Sequence, residues 1–224
     1  MSIVLKKRER PVVLPKEFVE GDDLKNATDE GLRAFAKSLA AIMNAYPMGH
    51  EYKKDRQEQY LKRLEKRAAC LKDEPELCEA FAIFLERQAD TPLTLSNADL
   101  LPLNVLYDGN KATIIDWEFG GFMSYPLDIA RFIAHYRPNG EVTSFCMAEE
   151  KKELFVNRMY DALEKKPVRE IFDRDIMLAI FNEYVENLEY YFNHKEEERG
   201  AVFTDYYARA RELAKRILYL THVK

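Results

Sequence analysis

The chain has 224 residues, 47% hydrophobic and 33% charged, with a net charge of −5 and an isoelectric point near 5.6. That is enough for one substantial core, or one domain with a small appendage, and the absence of a basic stripe argues against nucleic acid as the main partner. No apolar run reaches membrane-spanning length, the opening Met1-Ser2-Ile3-Val4-Leu5-Lys6-Lys7 is too short an apolar patch for a secretory signal, and Cys70, Cys78 and Cys146 show neither metal nor redox spacing, so a cytoplasmic chain with buried, reduced thiols and no membrane partner is expected.

Ile3 to Lys7 and Pro11 to Phe18 read as short extended runs around the charged turn Lys7-Arg8-Glu9-Arg10. Pro11 and Pro15 limit the second run to an edge or irregular strand, because proline cannot donate to a ladder. From Asn26 the period changes. Thr28 suits an N-cap, Asp29 and Glu30 stand in the first turn, and Leu32, Phe35, Leu39, Ile42 and Met43 recur at helical spacing up to the breakers Pro47 and Gly49. The stretch from Glu51 to about Leu71 is highly charged, with Tyr60, Leu61, Leu64 and Ala68 as a narrow apolar stripe. Its lysines and arginines are diluted by glutamates, the pattern of a solvated face. Pro75 fits a first helical turn, and Ala80, Phe81, Ile83 and Phe84 carry a helix to about Gln88. Thr91 to Leu95 reads as a short strand.

The stretch Ser96 to Leu106 organises the rest. Asp99 and Asn104 stand at the two ends of a short polar loop. Val105-Leu106-Tyr107 leads out as a strand, Asp108-Gly109-Asn110 is a tight-turn signal, and Ala112-Thr113-Ile114-Ile115 returns the chain. This hairpin delivers Asp116 close to where its first strand began. Two carboxylates and a carboxamide then converge, a set that can hold a divalent cation through oxygen and leave one carboxylate as a base. An isolated Asp–Asn pair is more simply an Asx turn. Here the spacing, the hairpin, the Asp116-Trp117-Glu118 run and the helix start Leu127-Asp128-Ile129-Ala130-Arg131-Phe132 make a far more specific joint pattern. Gly120-Gly121 reads as a flexible turn and Pro126 as a first helical position. The remainder reads as helices over Phe145 to Leu163, Asp173 to His194 and Tyr206 to Tyr219.

Asn97-x-Asp99-x4-Asn104 followed by Ile115-Asp116-Trp117-Glu118 resembles the catalytic core of the aminoglycoside phosphotransferase and choline kinase families, which share the protein-kinase-like fold. The resemblance implies that Asp99 is the base, and that Asn104 and Asp116 hold magnesium. Asn97 stands where aminoglycoside phosphotransferases have a histidine, and Ala98 where a glycine often follows. Asn97 and Asp128 are thereby implied to brace the loop; an amide can both donate and accept. Lys16 to Gly21 resembles the family's hinge, which would set Glu17, Phe18 and Val19 against the base of ATP or GTP. Trp117, Glu118, Phe119 and Tyr125 fall on the acceptor side, where aromatic faces and carboxylates suit an ammonium group; Trp117 would equally well pack the core.

The implied fold class is α+β, mostly helical: a protein-kinase-like large lobe over residues 22–224, with residues 1–21 as the hinge and a two-strand remnant of the small lobe. The first glycine is Gly21, so no Gly-rich phosphate loop precedes the hinge, and no helix fits between Lys7 and Pro11 to carry a partner for a phosphate-binding lysine. The leading expectation is a magnesium-dependent small-molecule kinase that moves the γ-phosphoryl group of ATP or GTP to a hydroxyl of an aminoglycoside-, choline- or sugar-like acceptor, a cationic one being compatible. The alternatives are a catalytically impaired relative acting as a binding module, or a nucleotide site completed by a second copy or another chain.

Overall fold

The computed structural model describes residues 2–7, 10–15, 18–50, 57–135, 146–193 and 200–222. Glu17, the turn at 8–9, the start of the second predicted helix and the junctions at 136–145 and 194–199 lie outside the described residues.

The architecture is α+β and mostly helical. Strands β1 (Ser2–Lys7) and β2 (Arg10–Pro15) form an antiparallel hairpin with Leu5 opposite Val12. Then follow β3 (Asp22–Asp23), a 3-10 turn at Leu24–Asn26, and helices α1 (Asp29–Ala45), α2 (Gln57–Cys70) and α3 (Pro75–Asp90). Next come β4 (Leu93–Ser96), β5 (Val105–Tyr107), β6 (Ala112–Ile114) and β7 (Gly121–Ser124). Helices α4 (Pro126–Ala134), α5 (Glu149–Ala162), α6 (Arg169–Phe192) and α7 (Ala201–His222) complete the chain. No described helix is long and apolar enough to cross a membrane.

Local chemistry sets several boundaries. The Thr28 hydroxyl accepts from the Gly31 amide at 3.1 Å, occupying one of the donors a helix start leaves open. Pro75 and Pro126 sit in first turns, where a missing N–H is harmless. The Asp108 carboxylate accepts from the amides of Asn110 and Lys111 at 2.8 and 2.7 Å, closing the β5–β6 turn over Gly109 at φ +94°. Gly21 has a steric reason as well: a Cβ there would meet the Tyr107 backbone at 2.8 Å, blocking the approach of β3 to β5.

The structure differs from the sequence reading at three elements and at the thiols. Gly121 opens strand β7 rather than a flexible turn, pairing with Ser96 as Phe122 and Met123 align with Leu95 and Thr94. Helix α6 begins at Arg169, a turn earlier than Asp173, and α7 begins at Ala201 rather than Tyr206. Cys78 and Cys146 are exposed and Cys70 half-buried, because Cys78 lies on the solvent side of α3, away from its core residues Leu77, Ala80, Phe81 and Phe84.

Two apolar clusters form the interior. One joins α2, α3, α6 and α7 through residues such as Leu64, Phe81, Phe181 and Tyr206. The other joins α1, α4 and α5, with Phe35, Phe132 and Phe155 in mutual ring contact at centroid distances of 4.5, 5.1 and 4.8 Å. Helix α4 lies between them. Leu127, Ala130 and Ala134 belong to the first cluster, and Ile129, Phe132 and Ile133 to the second.

Candidate active site

The polar loop 97–104 joins β4, paired with β7, to β5, paired with β6. The segment 115–120 crosses back between the same two pairs. Loop and crossing segment meet where the Ile115 amide donates to the Asn104 carbonyl at 2.9 Å.

Asn97 sits fully buried between them. Its Nδ2 donates to the carbonyls of Asp116 at 2.9 Å and Ile115 at 3.2 Å, and its Oδ1 accepts from the Asp99 amide at 3.2 Å. Asn104 donates through Nδ2 to the Asp99 carbonyl at 2.7 Å. The main chains of Asp99, Asn104 and Asp116 are thus joined by a few hydrogen bonds. Two positions here have left-handed backbone: Ala98, just before Asp99, at φ +63°, and Asp116 at φ +57°. A side chain there costs about 1–2 kcal/mol, least for Asp, and the hydrogen bonds around both positions hold them.

Asp128, one turn into α4 and 1% exposed, supports the loop from below. Its carboxylate accepts from the Ser96 hydroxyl at 2.7 Å, the Asn97 amide at 2.7 Å and the Ala98 amide at 3.0 Å. Burial pushes its pKa up, opposed by those three donors and by Arg131.

The Asp99 carboxylate is held through one oxygen. Oδ1 accepts from Arg131 Nε at 2.9 Å and Nη2 at 2.6 Å, while Oδ2 has no partner among the described residues. The remaining nitrogen of Arg131, Nη1, donates to Glu183 at 2.9 Å and lies 3.6 Å from Glu186. Glu186 is in turn 2.5 Å from Arg67, which also donates to Asn182 at 2.9 Å and reaches Glu189 at 3.3 Å. Burial pushes Glu183 up to about 7, only partly offset by Arg131. Burial pulls Glu186 the same way, but Arg67 and Arg131 reverse it and hold this carboxyl below its ordinary range. Arg131 stays firmly protonated, since Glu183, Glu186 and Asp99 outweigh its burial. A cavity of about 220 Å³ opens beside this network, bounded by Asp99, Arg131, Glu183, Tyr60 and Phe119 among others.

Among the anticipated acceptor residues, Phe119 lines that cavity and is half exposed, whereas Trp117 and Glu118 lie outside its wall. The Trp117 indole donates to the Ile114 carbonyl at 3.1 Å. Tyr125 is 1% exposed and lies outside the wall of this cavity, and its hydroxyl donates to Asp175 Oδ2 at 2.8 Å beside the Arg87–Asp175 ion pair. Phe18 is exposed and Val19 half-buried, ahead of β3. Sequence reasoning missed Arg131, Glu183, Glu186 and Arg67 as parts of the site.

For a divalent cation the fit is favourable in donor type. The Asp116 side chain is exposed, and the Asn104 oxygen and the Asp116 carboxylate are unengaged among the described residues. No group of three or more His, Cys, Asp or Glu side chains among the described residues forms a metal site of its own. Magnesium commonly takes one or two protein oxygens and completes its shell with phosphates and water.

A helical lobe carrying an Asp–Asn loop and a following hairpin Asp is the arrangement of a kinase-like phosphotransferase. The chain belongs to the APH phosphotransferase enzyme family, which residues 8–154 match. No curated protein sequence matches it. Among solved structures it resembles the choline kinase of Cryptosporidium parvum Iowa II, with 16% identity, a TM-score of 0.62, and coverage of 99% of this chain and 76% of that one. The ethanolamine kinase of Plasmodium vivax is similar at 14% identity and TM-score 0.56, covering 95% of this chain and 66% of that one. An amicoumacin kinase in complex with AMP-PNP, Ca2+ and Ami is similar at 11% identity and TM-score 0.56, covering 96% of this chain and 68% of that one. At such identities the likeness is one of fold, protein-kinase-like, and the chain spans about two thirds to three quarters of these relatives' lengths.

Proposed function

We propose that this chain is a small-molecule phosphotransferase that moves the γ-phosphoryl group of ATP or GTP to a hydroxyl of an aminoglycoside-, choline- or sugar-like acceptor. The observation that carries the reading is the Asn97 side chain, which binds the Asp99 amide and the Asp116 carbonyl together and so sets base and metal ligand on one small frame.

In this reading the acceptor hydroxyl donates to Asp99 Oδ2, the carboxylate oxygen that Arg131 leaves unengaged. The acceptor oxygen forms a bond to the γ-phosphorus as the bond from that phosphorus to the bridging β–γ oxygen breaks, and the proton passes to Asp99. Asn104 and Asp116 would hold magnesium, which supplies neutralising charge to the phosphates when bound. Asn97 and Asp128 keep the loop in register. Glu17, Phe18 and Val19 are assigned to the nucleotide base, and Trp117, Glu118 and Phe119 to the acceptor side. The cytoplasm is the proposed compartment, because it supplies the nucleoside triphosphate and keeps thiols reduced. Domain-wise, residues 1–21 are proposed as small-lobe remnant and hinge, and 22–224 as the catalytic lobe.

The alternative reading is a binding module, or a nucleotide site completed by another chain. Calorimetric titration of ATP and GTP with magnesium separates the readings. The native chain binds, Asp116→Ala loses the magnesium-dependent part, and Asp99→Ala binds nucleotide without turnover. Absence of nucleotide binding by the native chain sinks the kinase reading. Equal loss of binding and turnover in Asp99→Ala removes its role as base.

A further inference from the structure

Helices α2 and α6 are joined by one buried arginine. Arg67 is 2% exposed and engaged at all three nitrogens. Its Nη1 donates to Asn182 at 2.9 Å, Nη2 stands 2.5 Å from Glu186 Oε2, and Nε 3.3 Å from Glu189. Such a tie packs two helices together, but the place of Glu186 gives it a second consequence. The other oxygen of Glu186, Oε1, lies 3.6 Å from Arg131 Nη1, beyond hydrogen-bond length. Arg131 therefore faces three carboxylates and binds only two of them closely. Asp99 Oδ1 takes Nε and Nη2 at 2.9 and 2.6 Å, and Glu183 takes Nη1 at 2.9 Å. Glu186 is the third, and Arg67 is what occupies it.

We propose that Arg67 is a positioning residue for phosphoryl transfer: it holds Glu186 back from Arg131, and so leaves Arg131 on Asp99 with one carboxylate oxygen open to the acceptor hydroxyl. The inference rests on the phosphotransferase reading, which gives Asp99 its role. Carboxylates outnumber guanidiniums around the cavity beside Asp99, where Asp99, Asp128, Glu183 and Glu186 stand against Arg63, Arg67 and Arg131. Asp128 is satisfied by a hydroxyl and two backbone amides. The other three compete for arginine. Burial works against the ionised form of Glu186; Arg67 favours it most, then Arg131, with His135 and Arg63 behind them. Once Arg67 is lost, Arg131 becomes the strongest attraction left to Glu186. Charges this close and this little exposed are weakly screened. Nη1 faces the glutamates of α6, whereas Nε and Nη2 face Asp99. Closing the 3.6 Å gap to hydrogen-bond length therefore draws the guanidinium toward α6 and off Asp99 Oδ1. The base then loses its fixed orientation, and a displacement of fractions of an ångström is enough to slow a positioned reaction.

The test is steady-state transfer from ATP or GTP to whichever of choline, kanamycin and D-ribose the native chain phosphorylates, with urea unfolding of each variant alongside. Arg67→Gln should lower kcat by on the order of tenfold to a hundredfold and leave both KM values within about twofold, the pattern of an interaction that acts in the transition state. That variant strands Glu189 as well as Glu186. Arg67→Gln/Glu189→Gln strands Glu186 alone, in a less charged interior, and should show the same fall in kcat. Arg67→Gln/Glu186→Gln removes the competitor with its guard and should return kcat to within about threefold of native. A purely structural tie predicts a different order, with kcat following stability and the two double variants alike. Native kcat in both variants that strand Glu186, a rise in KM in place of the fall in kcat, or no recovery on adding Glu186→Gln would overturn the inference and leave the kinase reading standing. A native chain that phosphorylates none of the three acceptors fails the kinase reading, and the inference falls with it.

Discussion

Glu183 gives a sharp test of the charge network, because its sign is unusual for a carboxylate beside arginine. Burial outweighs Arg131, and the carboxyl keeps its proton up to about 7 where an ordinary glutamate loses it near 4.5. In the unfolded chain the proton leaves near the ordinary value. The stability this group contributes is therefore complete below about pH 4.5 and is lost as pH rises through 7. The interval between 4.5 and about 7 corresponds to up to about 3 kcal/mol, at about 1.4 kcal/mol per tenfold change in proton concentration. Glu186 has the opposite sign. Its carboxyl is held low, so its contribution is present above the ordinary value and lost on acidification, outside the window in which Glu183 titrates. Glu183→Gln keeps the shape and the acceptor for Arg131 but cannot ionise. Urea unfolding of both proteins from pH 5 to 8.5 should give similar stabilities at the acid end. The variant should become the more stable by up to about 3 kcal/mol above pH 7. Two stability curves that stay parallel across that range would show that Glu183 is ionised throughout and that its burial is compensated. A gap opening in the other direction would show that the Arg131 pair outweighs desolvation.

Tyr125→Phe removes a buried hydroxyl that donates to Asp175 at 2.8 Å. It should cost about 1–2 kcal/mol of stability, read by thermal or urea unfolding, with acceptor KM unchanged. A raised KM at unchanged stability would return Tyr125 to the acceptor site. Asn97→Ala removes three hydrogen bonds from a fully buried side chain. It should cost about 2–4 kcal/mol and lower kcat, because the Asp99 and Asp116 main chains lose their common tie. Native stability in this variant would show that water or Ser96 replaces the amide.

Features encoded by neighbouring residues were legible in the sequence; features made by distant ones were not. Thr28 before Asp29-Glu30 announces a helix start, and Asp108-Gly109-Asn110 announces a hairpin, because cap and turn hydrogen bonds close within three residues. The loop spacing from Asp99 to Asn104 is visible for the same reason. Strand β7 is hidden because Gly120-Gly121 carries a turn signature, while its partner β4 lies on the far side of the whole loop and hairpin. Arg131 is hidden more deeply. Within its own helix it is one charged residue in an apolar run, and its partners Asp99 and Glu183 lie 32 and 52 residues away. The burial of Tyr125 is hidden too, since its partners Phe172 and Asp175 on α6 lie 47 and 50 residues away.

Helix α4 connects these observations physically. Asp128 and Arg131 are three residues apart and so share a face. The first fixes the main chain of the loop at Asn97 and Ala98; the second fixes the carboxylate of Asp99. The rest of the helix is buried on both sides, with Phe132 in the Phe35–Phe155 stack and Ala130 in the opposite cluster. A site held within fractions of an ångström needs supports whose own rotamers are locked, and a helix with no solvent face other than that of Arg131 meets this requirement. The same arrangement makes the site dependent on the two cores. A void left in the aromatic stack would shift α4, and both anchors of the loop, Asp128 and Arg131, would move with it.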